Sequence, residues 1–507
     1  TASADERKVF FERMFLGAEG VLYLETVDSQ FLPEAEEQRR KFLSTLAEFL
    51  IDDDQAGQMF QQIFITIFEE ASPAKATSSL TRLLNFYIES SVRGETYTTE
   101  QLVSQTLNQL GVVGKKVAQS LAEMDFIPES YRQELVKSQE GADILPKRSL
   151  QIFAEAAGLI DGQGPLQIVS FDQLLGAASN KQACKLTVKI LDQSIATRLG
   201  LEVGDTTSVV GKFKRPSAQK EDNIDQDLEL LSSVVNVVRS YDDSVQMPPG
   251  YTDQIGMAVK QELDFEAEEV FNLTLKQRLK QRGSYLGHTV ETPTILFANQ
   301  DLVIETEAPG KSLRSFIDQA DKPEQAKTAR KVVAREALFE LLLTGEIHAD
   351  LHPGNVFVDD SSSENKLTLI DLGMNADVEA SSIISIREVV IGLVLGNERV
   401  VRSAFERMGW SLDKDSLQIK TGKFLENSRQ LLAASKNAET PPPSEVGMVI
   451  LAISKLEPYL QALKPKEVLA IVKEIIPAEQ WKIHAEILAL DEGSNLLARV
   501  SDRIFGG

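Results

Sequence analysis

The chain has 507 residues, a formal net charge of −23 and 42% hydrophobic residues, the composition of an ordinary globular protein. Its acidic excess argues against binding to nucleic acid and against electrostatic attachment to anionic membranes. A single cysteine, Cys184, excludes an internal disulfide and indicates a reducing compartment.

Length and hydropathy limit the architecture further. A single hydrophobic core rarely serves more than about 250–300 residues, so we expect two or three domains. No apolar run approaches the roughly 20 residues that cross a bilayer, and residues 389–396 are predicted to form a buried helix instead. Asp5 and Glu6 precede any apolar stretch, unlike a secretory signal. We expect a cytoplasmic protein, or one of an organellar matrix or stroma after removal of a transit peptide, with only peripheral membrane contact.

Residues 1–160 are predicted to form an all-helical N-terminal extension. Phe42, Leu46, Phe49 and Leu50 recur at the spacing of one helix face. Such apolar stripes are typical of the core between packed helices.

Residues 161–307 are predicted to form a small strand-rich lobe. Short apolar runs predict its strands, at residues 166–169, 186–191, 208–213, 294–297 and 302–305. A helix is predicted over residues 254–282, and the dipeptide Pro309-Gly310 marks a hinge.

The chain beyond the hinge is predicted to be mainly helical. Residues 308–435 would form a larger lobe, and residues 436–507 a helical C-terminal extension. The predicted class is therefore α+β, with the bilobal plan of protein kinases and a nucleotide-sized cleft between the lobes.

The most informative segment is HADLHPGN, from His348 to Asn355, followed by DLG from Asp371. Two apolar runs around a polar patch lie between these motifs and predict a β-hairpin with the polar groups at one end. Asn355 and Asp371 offer the hard oxygen ligands that suit Mg²⁺ on phosphates. Asp350 is free to orient or deprotonate a nucleophile. This is the arrangement of the protein-kinase catalytic loop, and it predicts phosphoryl transfer.

A metal-binding triplet is the rival interpretation of the same segment. His348, Asp350 and His352 are alternate residues, which would share one face of a strand. That interpretation leaves Asn355 and the DLG motif unexplained, so we favour phosphoryl transfer.

A phosphoryl-transfer site also needs a lysine on a strand and a carboxylate to hold it. Lys212 and Lys214 would share a strand face, so the pattern leaves the choice between them open. If residues 254–282 form one helix, Asp264 and Glu268 share a face. The segment offers five acids in all, Glu262, Asp264, Glu266, Glu268 and Glu269.

Together these features resemble the UbiB/AarF family of atypical protein-kinase-like proteins, over about residues 111–410. HADLHPGN resembles the family's H-A-D-x-H-P-G-N loop, and DLG resembles its D-F-G. The strand of Lys212, followed by Arg215-Pro216, resembles V-K-V-x-R-P and favours Lys212 over Lys214. Glu262-Leu263-Asp264 resembles the family's E-x-D motif.

The resemblance implies a role for each residue. Lys212 would hold the α- and β-phosphates of ATP or ADP, with Glu268 as its partner. Asn355 and Asp371 would bind Mg²⁺, and Asp350 would act on the acceptor.

The phosphate-binding loop is unusual, because no glycine-rich fingerprint precedes the strand lysine. Ala177, Ala178 and Ser179 resemble the alanine-rich loop that replaces it in the family. Glu305 and Glu307 complete the predicted nucleotide-binding set.

A further element would close the cleft from the N-terminal side. Lys116 and Gln119 resemble the family's K-x-G-Q motif and would act together with Glu262 and Asp264. In the family this element is thought to disfavour protein phosphorylation. Ala118 replaces the motif glycine, which leaves the preference between ATP and ADP open.

The resemblance therefore implies a Mg²⁺-dependent atypical kinase or ATPase that supports quinone or isoprenoid-lipid metabolism, with a lipid or quinone-type small molecule as its partner. One alternative is a small-molecule phosphotransferase, because aminoglycoside and choline kinases carry a similar loop. The other is a nucleotide-gated scaffold with incidental hydrolysis. The oligomeric state is left open.

Overall fold

A computed structural model describes most of the chain outside its two ends. The described residues are 36–51, 55–71, 98–109, 127–139, 144–177, 181–215, 260–318, 323–348, 350–359, 365–412, 417–420, 423–436 and 442–476, with single positions or short pieces within 76–121 and 229–241.

Contacts divide the chain into two compact units. Unit 1 comprises Thr1–Thr207, Gly211–Val245 and Ile255–Leu263, and unit 2 comprises Ser208–Val210, Gln246–Gln254 and Asp264–Gly507. The α+β class is confirmed, whereas the domain boundaries drawn from the sequence stay a prediction.

Helices dominate the N-terminal part of unit 1, as predicted. They are α1 (Glu36–Leu50), α2 (Gln55–Glu70), α3 (Thr99–Gln109), α4 (Glu129–Gln139) and α5 (Lys147–Ala156). Helix α1 buries the stripe Leu43, Leu46 and Leu50, and Phe60 of α2 stacks on Tyr131 of α4 with ring centroids 4.7 Å apart. These aromatic and aliphatic stripes form the core between the helices.

Two long antiparallel strands follow in unit 1. Strand β1 (Leu166–Ala177) pairs with β2 (Lys181–Ile190) from the contact of Leu166 with Ile190 to that of Ala177 with Gln182. Every second residue of β2 is buried, the period of a strand with one covered face.

A short helix, α6 (Gln193–Leu199), separates β2 from β3 (Thr206–Lys214). The Asp192 carboxylate caps it by accepting hydrogen bonds from the backbone N–H groups of Ser194 and Ile195. The inserted helix explains why about thirty residues separate the alanine-rich loop from the strand lysine.

Unit 2 contains the remaining strands. Within it, β5 (Ile295–Ala298) pairs antiparallel with β6 (Leu302–Thr306). A second sheet has the order β4 (His288–Glu291), β10 (Asn365–Leu369), β9 (Val356–Asp359) and β7 (Lys311–Ser312). Strand β8 (Glu346–His348) pairs with β11 (Asn375–Asp377).

The predicted hairpin is confirmed, because β9 and β10 are antiparallel neighbours. Strand β4, which runs parallel to β10, was not predicted. It is only four residues long, too short for its alternation to stand out from the flanking loops.

One continuous core supports the hairpin. The helices of unit 2 are α7 (Phe265–Arg282), α8 (Leu313–Asp318), α9 (Pro323–Phe339), α10 (Ile383–Leu395), α11 (Glu398–Arg407), α12 (Phe424–Lys436), α13 (Ser444–Lys455), α14 (Glu457–Leu460) and α15 (Pro465–Ile475). Side chains of β9, β10 and α10 share a single apolar cluster with those of α13 to α15. The C-terminal helices therefore pack into the core that supports the β9–β10 hairpin.

Helix α10 is buried along almost its whole length, as predicted for residues 389–396. Among the described residues, no helix has the length and apolarity needed to span a bilayer.

The continuous helix predicted over residues 254–282 is interrupted at Leu263 and Asp264, since residues 260–262 are helical and residues 254–259 lie outside the described residues. Helix α7 begins at Phe265, and Asp264 is its N-cap, with Oδ1 accepting a hydrogen bond from the Ala267 N–H at 2.9 Å. A short aspartate side chain bonds the first free backbone donors, which favours a helix start over a continuing helix. Asp264 and Glu268 therefore do not share a helix face in the way predicted.

Gly310 lies against the backbone of β9 in unit 2. Its φ is +88°, and a Cβ there would stand 1.9 Å from the Val358 carbonyl oxygen. We expect Gly310→Ala to lower the free energy of unfolding by about 2–4 kcal/mol, because left-handed strain adds to a backbone clash. Urea unfolding would measure it.

Gly200→Ala is the matched control. Gly200 has a left-handed backbone, with φ of +67° and ψ of +32°, and nothing within 4 Å of its Cβ position, so only the strain of about 1–2 kcal/mol applies. If both variants lost the same free energy of unfolding, the close approach of Gly310 to Val358 would make no contribution to stability.

Candidate active site

Backbone and side-chain hydrogen bonds shape the loop between β8 and β9. The backbone N–H groups of His352 and Asn355 donate to the carbonyls of Asp350 and His352, both at 2.9 Å. The Gly354 N–H donates to His352 Nδ1 at 2.9 Å. A Cβ on Gly354 would lie 2.6 Å from the imidazole ring, so this position needs glycine for the loop to close.

Asn355 and Asp371 lie at the same end of the hairpin. Val356 pairs with Leu369, and the Ile370 N–H donates to the Asn355 carbonyl at 2.9 Å. This pairing places the residue before β9 beside the residues that follow β10.

Asp371 has a left-handed backbone, with φ of +58°. Aspartate and asparagine tolerate this region better than other residues that carry a Cβ. Backbone strain of this kind concentrates at functional sites.

Asn355 joins the hairpin to Asp350. Its Nδ2 donates to the Asp350 carbonyl at 3.0 Å and lies 3.4 Å from Asp350 Oδ2. These contacts fix the orientation of the Asn355 carboxamide within the loop.

His348 supports the loop from the protein interior. It is buried, and its Nε2 lies 3.2 Å from the Ile370 carbonyl. Burial lowers the pKa of His348, although the charges of Asp350 and Asp371 oppose this. The neutral ring therefore ties the loop to the residue that precedes Asp371.

The metal triplet of His348, Asp350 and His352 gains no support from this geometry. A backbone carbonyl and a backbone N–H engage one nitrogen of each histidine ring. Within the described part of the chain, no group of three His, Cys, Asp or Glu side chains could hold a metal ion.

The donor set fits Mg²⁺ held partly by phosphates. Asn355 and Asp371 offer one carboxamide oxygen and one carboxylate at the same end of the hairpin. Mg²⁺ in phosphoryl-transfer sites usually takes one or two such protein ligands and completes its shell with phosphate and water.

Helix α7 carries Glu268, whose side chain is 1% exposed. A carboxylate so deeply buried is costly unless it is paired. Helix α7 belongs to unit 2, and Glu268 is the buried acid of the five that the segment offers.

Charged side chains connect α7 to β8, the strand that precedes the loop of Asp350. Arg278 Nη2 contacts Glu340 Oε2 and Glu346 Oε2, both at 2.7 Å. Arg282 contacts Glu336 at 2.6 Å and Glu340 at 2.5 Å. Because Glu346 lies in β8, this network holds the helix in a defined position against the loop.

The predicted phosphate-binding lysine lies in unit 1. Lys212 and Lys214 of β3 are 6% and 9% exposed, so neither is a solvated edge-strand lysine. The exposed fraction does not distinguish Lys212 from Lys214 as the phosphate-binding lysine. Lys212 stays the prediction, because the motif favours it.

Ala177, the first residue of the alanine-rich loop, is the last residue of β1. Ala177 ends β1 opposite Gln182, whereas Ala178 and Ser179 lie outside the described residues. Gln182 is 1% exposed, and its Oε1 accepts a hydrogen bond from the Leu145 N–H at 2.6 Å. The glutamine thus anchors the N-terminal extension to this hairpin.

The other predicted residues belong to different parts of the chain. Lys116 and Gln119 lie outside the described residues. Glu262 lies in unit 1, just before the helix cap. In unit 2, Glu305 is buried in β6 and the exposed Glu307 follows that strand.

Sequence reasoning missed two residues near Asp350. Lys455 Nζ, at the end of α13, lies 3.8 Å from Asp350 Oδ1. Burial, together with the Asp350 charge, raises the pKa of Tyr459 well above its ordinary value. Both lie about a hundred residues beyond the catalytic loop, and no motif in the chain signals their position.

A cavity of about 20 Å³ lies beside His348 and Leu351. It has room for about one water molecule. This cavity is therefore part of the packing beneath the loop and too small for a substrate.

The chain is similar in sequence to a known domain family and to two proteins of Synechocystis. Residues 194–405 match the ABC1 atypical kinase-like domain. The uncharacterized Synechocystis protein slr0889 is 24% identical over 310 residues, 58% of this chain and 70% of that protein. A second uncharacterized Synechocystis protein, sll1770, is 26% identical over 329 residues, 62% of this chain and about half (51%) of that protein.

A solved structure is also similar. It is the complex of Rv3197 with erythromycin from Mycobacterium tuberculosis, at 18% identity and a TM-score of 0.44. The similarity covers 72% of this chain and 91% of that one.

Proposed function

We propose that this chain, whose residues 194–405 match the ABC1 atypical kinase-like domain, is an atypical kinase-like protein of the UbiB/AarF type that binds Mg²⁺-ATP and catalyses phosphoryl transfer or ATP hydrolysis. The observation that carries the proposal is the hairpin end, where Asp350, Asn355 and Asp371 come together.

The roles follow from the chemistry of each side chain. Asn355 and Asp371 would hold Mg²⁺ through oxygen, and bound Mg²⁺ would neutralise charge on the phosphates. Lys212 would contact the α- and β-phosphates, and Glu268 would position it. Ala177, Ala178, Ser179, Glu305 and Glu307 would contribute to the nucleotide site.

Asp350 would orient the acceptor and take its proton. The acceptor oxygen forms a bond to the γ-phosphorus while the bond to the bridging oxygen of ADP breaks. The proton of the acceptor passes to the carboxylate, and ADP leaves with the electron pair.

The proposed acceptor is water or the hydroxyl of a small or lipid molecule. The family resemblance of Lys116, Gln119, Glu262 and Asp264 supports this, because the matching element disfavours protein substrates. On the same ground we propose a role in quinone or isoprenoid-lipid metabolism.

Nucleotide binding tests the proposal most directly. We expect calorimetry to show Mg²⁺-ATP or Mg²⁺-ADP binding with a Kd in the micromolar range, weakened about tenfold or more by EDTA. The metal matters because it screens the phosphate charge beside the site acids. Wild-type protein that binds neither nucleotide with Mg²⁺ would contradict the proposal.

A further inference from the structure

The C-terminal helices of unit 2 place a cation beside the catalytic aspartate. Lys455 Nζ lies 3.8 Å from Asp350 Oδ1, with the two side chains 33% and 30% exposed. At this separation the pair attracts electrostatically but does not form a hydrogen bond. Within the described part of the chain, the Lys455 ammonium donates no hydrogen bond, so its N–H groups remain available.

Contacts at the start of α13 and along its length fix the position of Lys455, the last residue of the helix. At the start of the helix, the Glu445 carboxylate accepts hydrogen bonds from the Glu379 N–H at 2.7 Å and from Ser382 Oγ at 3.0 Å. Along the helix, Val449, Ile450 and Ile453 are buried in the core shared with the hairpin. This helix is therefore a fixed support for its last residue.

Helix α9 holds the segment that follows. Arg330 Nε donates to the Pro458 carbonyl at 2.7 Å, and Lys331 Nζ contacts Glu467 Oε1 at 2.5 Å. The residue next to Pro458, Tyr459, is fully buried, and its hydroxyl has no hydrogen-bonding partner among the described residues. A buried hydroxyl without a hydrogen bond lowers the free energy of unfolding, and the packing around Tyr459 must offset that cost.

The two oxygens of Asp350 face different groups. Oδ2 lies 3.4 Å from Asn355 Nδ2 and 3.9 Å from His352 Nε2, while Oδ1 faces Lys455. His352 carries no charge to assist, because burial lowers its pKa. Among the described residues, Lys455 is therefore the permanently charged cation within 4 Å of this carboxylate.

We propose that Lys455 binds the phosphoryl group in transfer, as a catalytic residue supplied from outside the family-matched region. The inference rests on the proposed function, because a carboxylate that orients the acceptor must lie beside the γ-phosphate. During transfer, negative charge spreads over the three equatorial phosphoryl oxygens. A positioned ammonium with free N–H donors stabilises that charge more than it stabilises bound ADP, which lacks the group.

The test compares two nucleotides in three full-length variants. Calorimetry would measure the Kd of Mg²⁺-ADP and of a Mg²⁺-ATP analogue with an imido group between the β- and γ-phosphorus. For Lys455→Met we expect the analogue to bind about tenfold or more weakly, with ADP binding unchanged. We also expect a loss of about 10²–10³-fold in single-turnover rate. Lys455→Arg, which keeps the charge, should restore the affinity for the analogue.

Lys466→Met, an exposed lysine on α15, is the matched control and should leave both affinities unchanged. If Lys455→Met weakens both nucleotides equally, or neither, Lys455 only pairs with Asp350 and the inference is overturned. Wild-type protein that binds neither nucleotide overturns the proposed function, and this inference falls with it. Urea unfolding of each variant identifies any loss that comes from the fold.

Discussion

Replacing Asp350 with asparagine should reduce the rate of ATP turnover by about 10²–10⁴-fold, the usual contribution of a positioned general base. Asparagine has nearly the same shape but accepts no proton at neutral pH. The Asn355 Nδ2 hydrogen bond to the residue 350 carbonyl involves only backbone on that side, so the loop should keep its form. Single-turnover hydrolysis of radiolabelled ATP would measure the loss.

Asp161→Asn is a suitable control, because Asp161 is an exposed aspartate of unit 1. It should leave turnover unchanged. Mg²⁺-nucleotide affinity should change by less than about threefold in Asp350→Asn, since the proposed metal ligands remain. Full turnover in Asp350→Asn would remove the catalytic role from this residue, and lost nucleotide binding would reassign it to the binding site.

Replacing Asp371 with asparagine should abolish the dependence of ATP affinity on Mg²⁺. A neutral carboxamide is a weaker ligand than a carboxylate for a hard cation, and loss of even an outer-sphere partner costs about 10–100-fold in metal affinity. Asparagine also tolerates the left-handed φ of +58°. Calorimetric titration of ATP with Mg²⁺ and with EDTA would show the effect as convergence of the two affinities.

Asp371→Ala separates ligand loss from backbone strain. Alanine removes the same ligand but fits the left-handed backbone poorly, at a cost of about 1–2 kcal/mol in the free energy of unfolding. We therefore expect the alanine and asparagine variants to share the loss of Mg²⁺ dependence and to differ in stability. An Asp371→Asn protein with an intact response to Mg²⁺ would refute the assignment of this ligand.

Much of the candidate site could be predicted locally. The hairpin of β9 and β10 follows from two apolar runs around a polar patch, and that pairing alone places Asn355 and Asp371 at one end. The break in the helix at Asp264 was not predicted, because the acidic run around this residue is compatible with both a helix interior and a cap. Tertiary contacts decided between them.

The sequence by itself determined the motifs of the candidate site and their resemblance to the UbiB/AarF family, because the types and spacing of residues from His348 to Asp371 can be recognised in the linear chain. Only the tertiary structure brought Lys455 to Asp350 and buried Tyr459 nearby. Helix α13 reaches the loop because apolar packing joins elements far apart in the chain, and hydrophobic burial has no direction or motif of its own. Packing of the core therefore places the Lys455 ammonium beside Asp350, and the sequence motif alone does not predict this contact.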